Sequence, residues 1–509
     1  MPARLRIPFA FALALLLAPA CGGDGGDASG AEDEAPETSA RSDPPSVEAL
    51  ERVSEAASDE AVQRQRAAAL DREFPLHGLV TRPQLTIRTE PDPEAPVIGW
   101  LRWGERIRLK DQRTPTATCA TGWYPVAPSG WACAGQGIEV AEAPPTSDEA
   151  PPPAERDAPL PYHYYFVTQP MTPQYHQPPS RSVQRQALSF GEAYVAMLER
   201  NEARAERLLE AGEFPGGLTR PAAVARYLHR GFFVAAAGVV TREQRRFVRA
   251  TGGGYVKESR LEERSGSDFE GVVIDESHPL PQAWVRRTTP PRFHGVRYDG
   301  THVFSRDLES APLERQTLIT DLWVERENID DHVYHRLEGG EGWDEPRYAR
   351  DWFLGVAERI EPPFEVEEGE PWVHVDLSEQ TLVVYRGAQP VYATLVSSGL
   401  EGHDTPTGTF RIQRKMVTDT MANLGPDAGD DSYRVQDVPW TQYFDGSFAL
   451  HGAFWHHRFG LMRSHGCVNL SPADAHRVFQ ETWPRVPEGW HGVHVENGGF
   501  RASRVHVTE

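Results

Sequence analysis

Residues 372–385 read WVHVDLSEQTLVVY, two runs of alternating apolar residues on either side of a turn at 377–380. Alternation with a period of two is typical of strands that bury one face, and a short turn between such runs favours an antiparallel hairpin. The pattern continues in strands expected at 391–397 and 409–414, with a second turn at 386–389. This part of the chain therefore predicts a mainly antiparallel β-sandwich.

A helix is predicted downstream of these strands. Ser471 suits the N-cap, Pro472 the first helical position and Asp474 a capping-box-like contact. The helix is expected to continue to about residue 482, after which residues 493–495 would close the sheet as its last strand. Its buried side is predicted to contain Ala475, Val478 and Phe479.

A short motif, Ser464-His465-Gly466-Cys467-Val468-Asn469, contains the residue types of a thiol active site, and Cys467 lies sixteen positions after His451. Only a thiolate attacks a carbonyl, and a nearby imidazole can take its proton. Glycine beside the nucleophile permits positive φ, which can turn N–H groups toward an oxyanion. The motif predicts acyl transfer with Cys467 as nucleophile, His451 as general acid and base, and the N–H groups near Gly466 and Cys467 as oxyanion donors.

These residues resemble a known family. His451-Gly452 followed by the motif at 464–469 is similar to the YkuD-type L,D-transpeptidases, bacterial enzymes that remodel peptidoglycan. The resemblance covers about 371–497 and implies an antiparallel β-sandwich as catalytic domain. Further stretches that carry it are Trp372–Tyr385, Val396–Gly399, Thr405–Phe410 and Pro439–Phe444.

The resemblance also implies a reaction. Cys467 would form a thioester with a stem tetrapeptide and release D-Ala, and an amine of another stem or of a protein would then take the acyl group. Water as the acceptor would make the same site an L,D-carboxypeptidase. Ser464 and His465 are expected to shape the turn and to orient His451 by hydrogen bonds, and Asn469 is expected to hold the turn.

Tyr443, His456 and Trp455 are candidates for the substrate groove, although aromatic residues beside strands are more often part of a core. His451, His456 and His457 with Cys467 raise a zinc hypothesis. The chain has neither a CxxC nor an HExxH pattern, so we predict no metal and no cofactor.

The first 20 residues are predicted to be a signal peptide. Arg4 and Arg6 precede a mostly apolar run of 12 residues, too short for a bilayer, which takes about 20. Leu17–Cys21 resembles the lipobox of bacterial lipoproteins, which implies a chain acylated at Cys21; an ordinary cleaved signal is the alternative. Gly22, by resemblance to sorting rules, implies the outer membrane. We expect a lipoprotein of the cell envelope that faces the periplasm and binds the membrane through its lipid.

Between the signal peptide and the first predicted domain, the sequence predicts two segments that have no hydrophobic core. Residues 21–45 are rich in Gly, Asp, Glu, Ala and Ser and predict a disordered acidic tether. Residues 46–73 contain strong helix formers and predict a helical stalk.

Residues 77–140 predict a small β-barrel, because short alternating runs are separated by turns, and their order resembles bacterial SH3-like domains. Such a barrel is either a peptidoglycan-binding module or a spacer. The chain has four cysteines. If Cys21 is acylated and Cys119 pairs with Cys133, which would stabilise the barrel by about 3 kcal/mol on the loop-entropy model, Cys467 is the free thiol.

Residues 141–161 are rich in proline and predict a stiff linker. The region 162–363 predicts an α+β fold of unknown role, with helices at 188–213 and 222–230 followed by strands. Its segments 253–257 and 323–324 resemble the edges of SH3-like barrels, so a degenerate second barrel is an alternative.

The length of the chain predicts the number of domains, and its net charge restricts the class of partner. A chain of 509 residues is too long for one core and predicts several domains, mainly β. With 52 basic and 74 acidic residues, the net charge of -22 argues against nucleic acid as a partner, because binding it requires a basic face. The expected partners are peptidoglycan stem peptides, and the rival hypothesis is a non-catalytic lipoprotein that anchors to peptidoglycan.

Overall fold

The computed structural model describes residues 64–65, 67–147, 149–200, 219–288, 293–298, 301–306, 313–319, 322–329, 332–337, 347–423 and 433–509. The predicted signal peptide, the tether, Cys21 and the first part of the stalk lie outside these residues. Residues 64–65 and 67–73, at the end of the predicted stalk, are helical. From residue 65 onward the chain forms one compact unit. No helix among the described residues combines the length and the apolar character needed to cross a bilayer.

The first β-rich region follows this helix and agrees with the strands expected at 77–140. β1 pairs with β4 and β8, and β2 pairs with β3 and β7. A disulfide joins Cys119 to Cys133 on the neighbouring strands β6 and β7. The SH3-like assignment stays a prediction. The strands are β1 (Leu76–Val80), β2 (Gln84–Arg88), β3 (Val97–Arg102), β4 (Arg106–Leu109), β5 (Thr114–Thr116), β6 (Cys119–Pro125), β7 (Trp131–Cys133) and β8 (Ile138–Ala141).

The region 162–363 contains one described α-helix, α1 (Arg181–Arg200), and many strands. The segment expected to be a second helix at 222–230 is instead the strand β11, and that prediction is wrong. β11 pairs with β10, so tertiary pairing overrides the helical propensity of its residues. The strands are β9 (His163–Val167), β10 (Thr172–Tyr175), β11 (Val224–Leu228), β12 (Phe233–Arg242), β13 (Arg245–Ala250), β14 (Tyr255–Lys257), β15 (Leu261–Arg264), β16 (Val272–Val273), β17 (Gln282–Val285), β18 (Phe293–Tyr298), β19 (Thr301–Arg306), β20 (Leu318–Ile319), β21 (Leu322–Ile329), β22 (His332–Leu337), β23 (Arg347–Arg350) and β24 (Leu354–Ala357).

The C-terminal region is the predicted sandwich. One of its sheets has the order β16-β27-β26-β25-β34-β28. The other contains β33, β29, β30, β31 and β32, paired in that order. The strands are β25 (Pro371–Asp376), β26 (Thr381–Arg386), β27 (Gln389–Leu395), β28 (Gly408–Arg411), β29 (Arg414–Asn423), β30 (Tyr433–Asp445), β31 (Phe448–Gly452), β32 (Val468–Leu470), β33 (Gly492–His494) and β34 (Arg504–Thr508).

The sandwich continues beyond residue 497, where the sequence placed its end. The expected strand at 493–495 exists as β33, but the last strand is β34, which lies parallel to β25 and antiparallel to β28. Val505 and Val507 of β34 are buried in the core of the sandwich. The period-two pattern was present in the sequence, but pairing with a strand more than 120 residues earlier carries no local signal.

The helix α2 (Pro472–Glu481) forms where it was predicted. The Ser471 hydroxyl accepts a hydrogen bond from the Asp474 N–H at 3.1 Å, and Pro472 occupies the first turn. Its buried residues include Ala475, Val478 and Phe479. A second short helix, α3 (Val495–Gly498), follows β33. Among the described residues, short 3-10 helices lie at Ala134–Gln136, Glu258–Arg260 and Asp351–Phe353.

The first β-rich region, named the N-terminal barrel after its predicted fold, shares a sheet and a core with the sandwich. β3 pairs with β33, and Trp490, which precedes β33, is fully buried among the apolar residues of the barrel. Its indole N–H donates to the Ala127 carbonyl at 2.7 Å. Gly99 of β3 leaves the space for this ring, since a Cβ there would lie 2.4 Å from it. The barrel and the sandwich are therefore joined by a shared sheet and by the side chain of Trp490.

Part of the segment 141–161, which the sequence predicted to be a stiff linker, lies against the sandwich. The Arg156 guanidinium donates to the carbonyls of Pro487, at 2.9 Å, and of Trp490. The Trp440 indole N–H donates to the Pro159 carbonyl at 2.6 Å. Proline removes N–H donors but keeps carbonyl acceptors, so such a segment can still be fixed by donors from its neighbours.

Candidate active site

Two parallel strands bring the predicted catalytic residues together. In the pairing of β31 with β32, Leu450 lies opposite Val468 and His451 opposite Asn469. Side chains alternate along a strand, so Cys467, two residues before Asn469, is expected on the same face as His451. His451 on β31 and Cys467, directly before β32, therefore lie at neighbouring strands.

The turn before β32 is closed by side-chain hydrogen bonds. Ser464 Oγ accepts from the Gly466 N–H at 3.1 Å and donates to the Cys467 carbonyl at 2.5 Å. Thr405 Oγ1 donates to the Gly466 carbonyl at 2.8 Å. Gly466 has φ of 109°, and a Cβ there would lie 2.3 Å from the Phe448 ring, so this position requires glycine. Ser464 and Gly466 therefore shape the turn, as expected.

His451 is oriented by the carbonyl of its own neighbour. Its Nδ1 lies 3.2 Å from the Gly452 carbonyl oxygen, which can only accept, so Nδ1 carries the proton and Nε2 is left as the base. Burial lowers the pKa of His451 to about 4, although the bond to Gly452 acts in the opposite direction. The imidazole is therefore neutral at pH 7, and its ring lies 5.7 Å from the ring of Trp455.

The Cys467 thiol is also neutral at pH 7. It is half-buried, and its Sγ lies 3.6 Å from the Ser447 carbonyl oxygen. Burial raises its pKa to about 11, which a hydrogen bond from the Ala449 N–H only partly offsets.

Three sequence expectations about the motif differ from the structure. The hydrogen bond that orients His451 comes from Gly452, not from Ser464 or His465. His465 is exposed, and its ring lies 4.6 Å from that of His403. The Gly466 N–H is already bound to Ser464 and is not free to hold an oxyanion. The spacing of residues in the sequence does not reveal which hydrogen-bond partners each side chain or backbone N–H finds in the fold.

Asn469 and His456 support the site from within the core. Both are buried, and the Asn469 amide lies 3.1 Å from Nε2 of His456. The backbone of Asn469 exchanges two hydrogen bonds of 2.9 Å with Ser397, which joins β32 to the end of β27. Burial, followed by nearby Arg463, lowers the pKa of His456 to about 3. His456 thus lies beneath the site and is poorly placed to line a groove.

Tyr443 lies beside the nucleophile on β30. Its ring packs with Met416 and Ala449 in a cluster that Cys467 contacts. Its hydroxyl donates to Asp419 at 2.8 Å, and burial with this carboxylate raises its pKa. Trp455, the third groove candidate, is half-buried beside His451.

Two residues near the site were not found from the sequence. Trp100, from the N-terminal barrel, packs against the same cluster as Cys467. Arg414 of β29 places its guanidinium carbon 4.2 Å from the centre of the Tyr443 ring. Only the pairing of β3 with β33 and of β29 with β30 reveals these contacts, so no local pattern could have found them.

No group of three or more His, Cys, Asp or Glu side chains that could hold one metal ion is found within the described part of the chain.

Comparison with known proteins finds similarity in the C-terminal region. Residues 370–489 match the YkuD family model, described as the L,D-transpeptidase catalytic domain. The putative L,D-transpeptidase YciB of Bacillus subtilis is 24% identical over 143 residues, which is 24% of this chain. The match spans 65% of that relative, less than two thirds of its length.

Solved structures also match about a third of the chain. The L,D-transpeptidase of Enterococcus faecium is 20% identical with a TM-score of 0.22, over 30% of this chain and 55% of that one. L,D-transpeptidase 3 from Mycobacterium tuberculosis is 16% identical with a TM-score of 0.23, over 35% of this chain and 92% of that one.

Proposed function

We propose that this protein is a cysteine-dependent peptidoglycan L,D-transpeptidase, whose YkuD domain contains the active site. One arrangement of residues carries the proposal. His451 lies on β31, which pairs with β32 directly after Cys467, and the bond of its Nδ1 to the Gly452 carbonyl leaves Nε2 as the base; both features support the proposal. The family match at 370–489 supports the substrate class.

The proposed reaction begins at the thiol. Cys467 Sγ attacks the carbonyl carbon of a stem-peptide bond while its proton passes to Nε2 of His451. The tetrahedral intermediate collapses, and His451 returns the proton to the leaving amine of D-Ala. An acyl-thioester with Cys467 remains.

The second half of the reaction repeats these roles. An acceptor amine attacks the thioester carbonyl, loses a proton to His451 and forms a new amide bond. The thiol leaves and regains its proton from His451. An amine from another stem gives a cross-link, a protein amine gives an attached protein, and water gives a shortened stem.

The neutral thiol and neutral imidazole fit this sequence of steps. Each partner is buried, so an ion pair formed before the substrate arrives would carry the desolvation cost of two charges. The proton transfer is therefore coupled to carbon–sulfur bond formation, at the stage where the substrate excludes water from the site.

The cellular setting is part of the proposal. The apolar run at 7–18 and the lipobox-like residues 17–21 favour an exported lipoprotein anchored through Cys21. In that setting the catalytic domain would face the periplasm, where peptidoglycan is present.

The test is mass spectrometry of a disaccharide-tetrapeptide incubated with the chain, with Cys467→Ala and with His451→Gln. His457→Gln is the matched control, because His457 is exposed and lies six residues beyond His451. We expect dimers formed with loss of D-Ala from the native chain and from the control only.

Other results distinguish the alternatives. Tripeptide without dimer would favour an L,D-carboxypeptidase. No product and no acyl-enzyme on Cys467 would refute catalysis on this substrate and leave the non-catalytic anchoring protein as the better hypothesis.

A further inference from the structure

A continuous row of side chains leads from the nucleophile across the sheet. In successive strand pairs, Ala449 lies opposite Tyr443, Tyr443 opposite Arg414, and Arg414 opposite His494. Cys467 packs against the cluster that contains Ala449 and Tyr443, so the row reaches the thiol. Paired residues share a face, so this row is one surface that begins at the active-site thiol.

Arg414 is a cation without a counter-ion on this surface. Its guanidinium stacks on the Tyr443 ring at 4.2 Å, and among the described residues no carboxylate forms an ion pair with it. The Tyr443 hydroxyl is occupied by Asp419. A guanidinium held flat by an aromatic ring keeps its N–H groups available, in the geometry that suits a carboxylate.

The row opens into a cavity of about 750 Å³. Its other arginines are engaged: Arg501 pairs with Glu367 at 2.9 Å, and Arg411 donates to the Ala502 carbonyl at 3.3 Å. Arg414 also lines the cavity. It lies on β29, opposite Tyr443 of β30, and Tyr443 in turn lies beside Cys467. The volume lies within the range of sites that hold small ligands, so it can contain part of a peptide.

The N-terminal barrel forms one side of this route. Trp100 of β3 lies opposite Gly492, which in turn lies opposite Met416 of β29. The Trp100 ring is 6.1 Å from the His494 ring and packs against the cluster that Cys467 contacts. An indole beside the route offers an apolar wall for a peptide backbone or an aliphatic side chain.

We propose that the surface from Cys467 over Tyr443 to Arg414 and the adjoining cavity binds a substrate peptide, and that Arg414 binds a carboxylate of that peptide. The inference rests on the proposed function and specifies its substrate. The Arg414 guanidinium lies over the Tyr443 ring, and Tyr443 is two strands from β32, which begins directly after Cys467. Strands are about 4.8 Å apart, so a carboxylate bound there would lie about 10 Å from the scissile carbonyl. This distance corresponds to about three extended residues or to the end of a long side chain.

The test measures binding without turnover, by calorimetry on the full chain with Cys467→Ala. The probes are a stem tetrapeptide and versions of it in which each carboxylate in turn is an amide. We expect one amidation to weaken binding about tenfold, the loss of one charge-assisted pair. Adding Arg414→Gln should remove this discrimination, and Arg414→Lys should restore part of it.

Arg359→Gln is the control, since Arg359 is exposed and donates to the Ala388 carbonyl. It should preserve the discrimination. Equal weakening of all peptides by Arg414→Gln would indicate a structural role and overturn the inference. Equal binding of every amidated form, or no binding of any, would also overturn it.

The proposed function is tested separately by acylation of the native chain. Discrimination without acylation would support the peptide site and refute the catalytic proposal. Acylation without discrimination would support the catalytic proposal and refute the peptide site at Arg414.

Discussion

At the scale of single residues, burial sets the chemistry of the proposed site. The thiol of Cys467 and the imidazole of His451 are both neutral at pH 7, because desolvation raises the pKa of one to about 11 and lowers that of the other to about 4. The sequence predicted both residues and their roles. It could not predict their charge state, because burial depends on contacts with Tyr443, Met416 and other distant residues.

The neutral thiol predicts a steep pH dependence for alkylation of Cys467. Below a pKa of about 11, the thiolate fraction rises tenfold for each pH unit, so the rate with iodoacetamide should climb from pH 7 to pH 10 without a plateau. The rate is measured by mass spectrometry of the peptide that contains Cys467. A plateau reached by pH 8, which His451→Gln abolishes, would instead reveal a preformed thiolate–imidazolium pair.

At the scale of elements, buried polar groups fasten α2 to the sheets on either side of it. At its start, Asp474 accepts hydrogen bonds from Tyr392 and Thr394 of β27, both at 2.6 Å, and from the Gly271 N–H at 2.8 Å. At its end, buried Lys415 of β29 donates to the carbonyls of Phe479 and Thr482 at 2.7 and 3.0 Å. The helix follows β32 directly, so these contacts also fix the strand next to the nucleophile.

Asp474 predicts a loss of stability as pH rises. Burial raises its pKa from 3.8 to about 6, against the effect of its hydrogen bonds, so the folded chain binds this proton more tightly than the unfolded chain. The free energy of unfolding should therefore fall between pH 4 and pH 6, by about 2–3 kcal/mol from this group. Asp474→Asn should remove that part of the pH dependence in chemical unfolding measured across this range. An unchanged slope in the variant would contradict the assignment.

How well an element was predicted depended on how local its determinants are. The hairpin β25–β26 and the cap of α2 follow from residues within a few positions of one another, and both form as expected. β11 and β34 depend on partners far along the chain, so one was taken for a helix and the other lay outside the predicted domain. The same limit hid Trp100 and Arg414 from the predicted site.

At the scale of the whole molecule, the barrel and the catalytic sandwich act as one body. Trp490 completes the core of the barrel, and β3 continues the sheet that carries the active site. Arg102 of β3 also binds Asp437 of β30 through two hydrogen bonds of 2.5 and 2.7 Å. A peptidoglycan-binding module on a flexible linker would leave its partner domain free to move, whereas this barrel is fixed beside the site.

Trp490→Ala should therefore destabilise both parts together. Removing a fully buried indole costs about 3–5 kcal/mol, and because this residue comes from the sandwich segment and fills the core of the barrel, thermal unfolding should keep one transition at a lower temperature. Trp352→Ala is the control, since Trp352 is 55% exposed. Two separate transitions, with only the lower one shifted, would show that the barrel folds independently.

The position of Trp490 in the chain also governs when the barrel can finish folding. The indole and its acceptor at Ala127 are 363 residues apart, so synthesis passes through the whole middle region before the missing core residue emerges. Until then, the apolar surface that Trp490 covers is open to water and to other chains, a condition that favours aggregation. A chain that ended before residue 490 would lack this core residue, and the apolar surface of its first folded region would stay open.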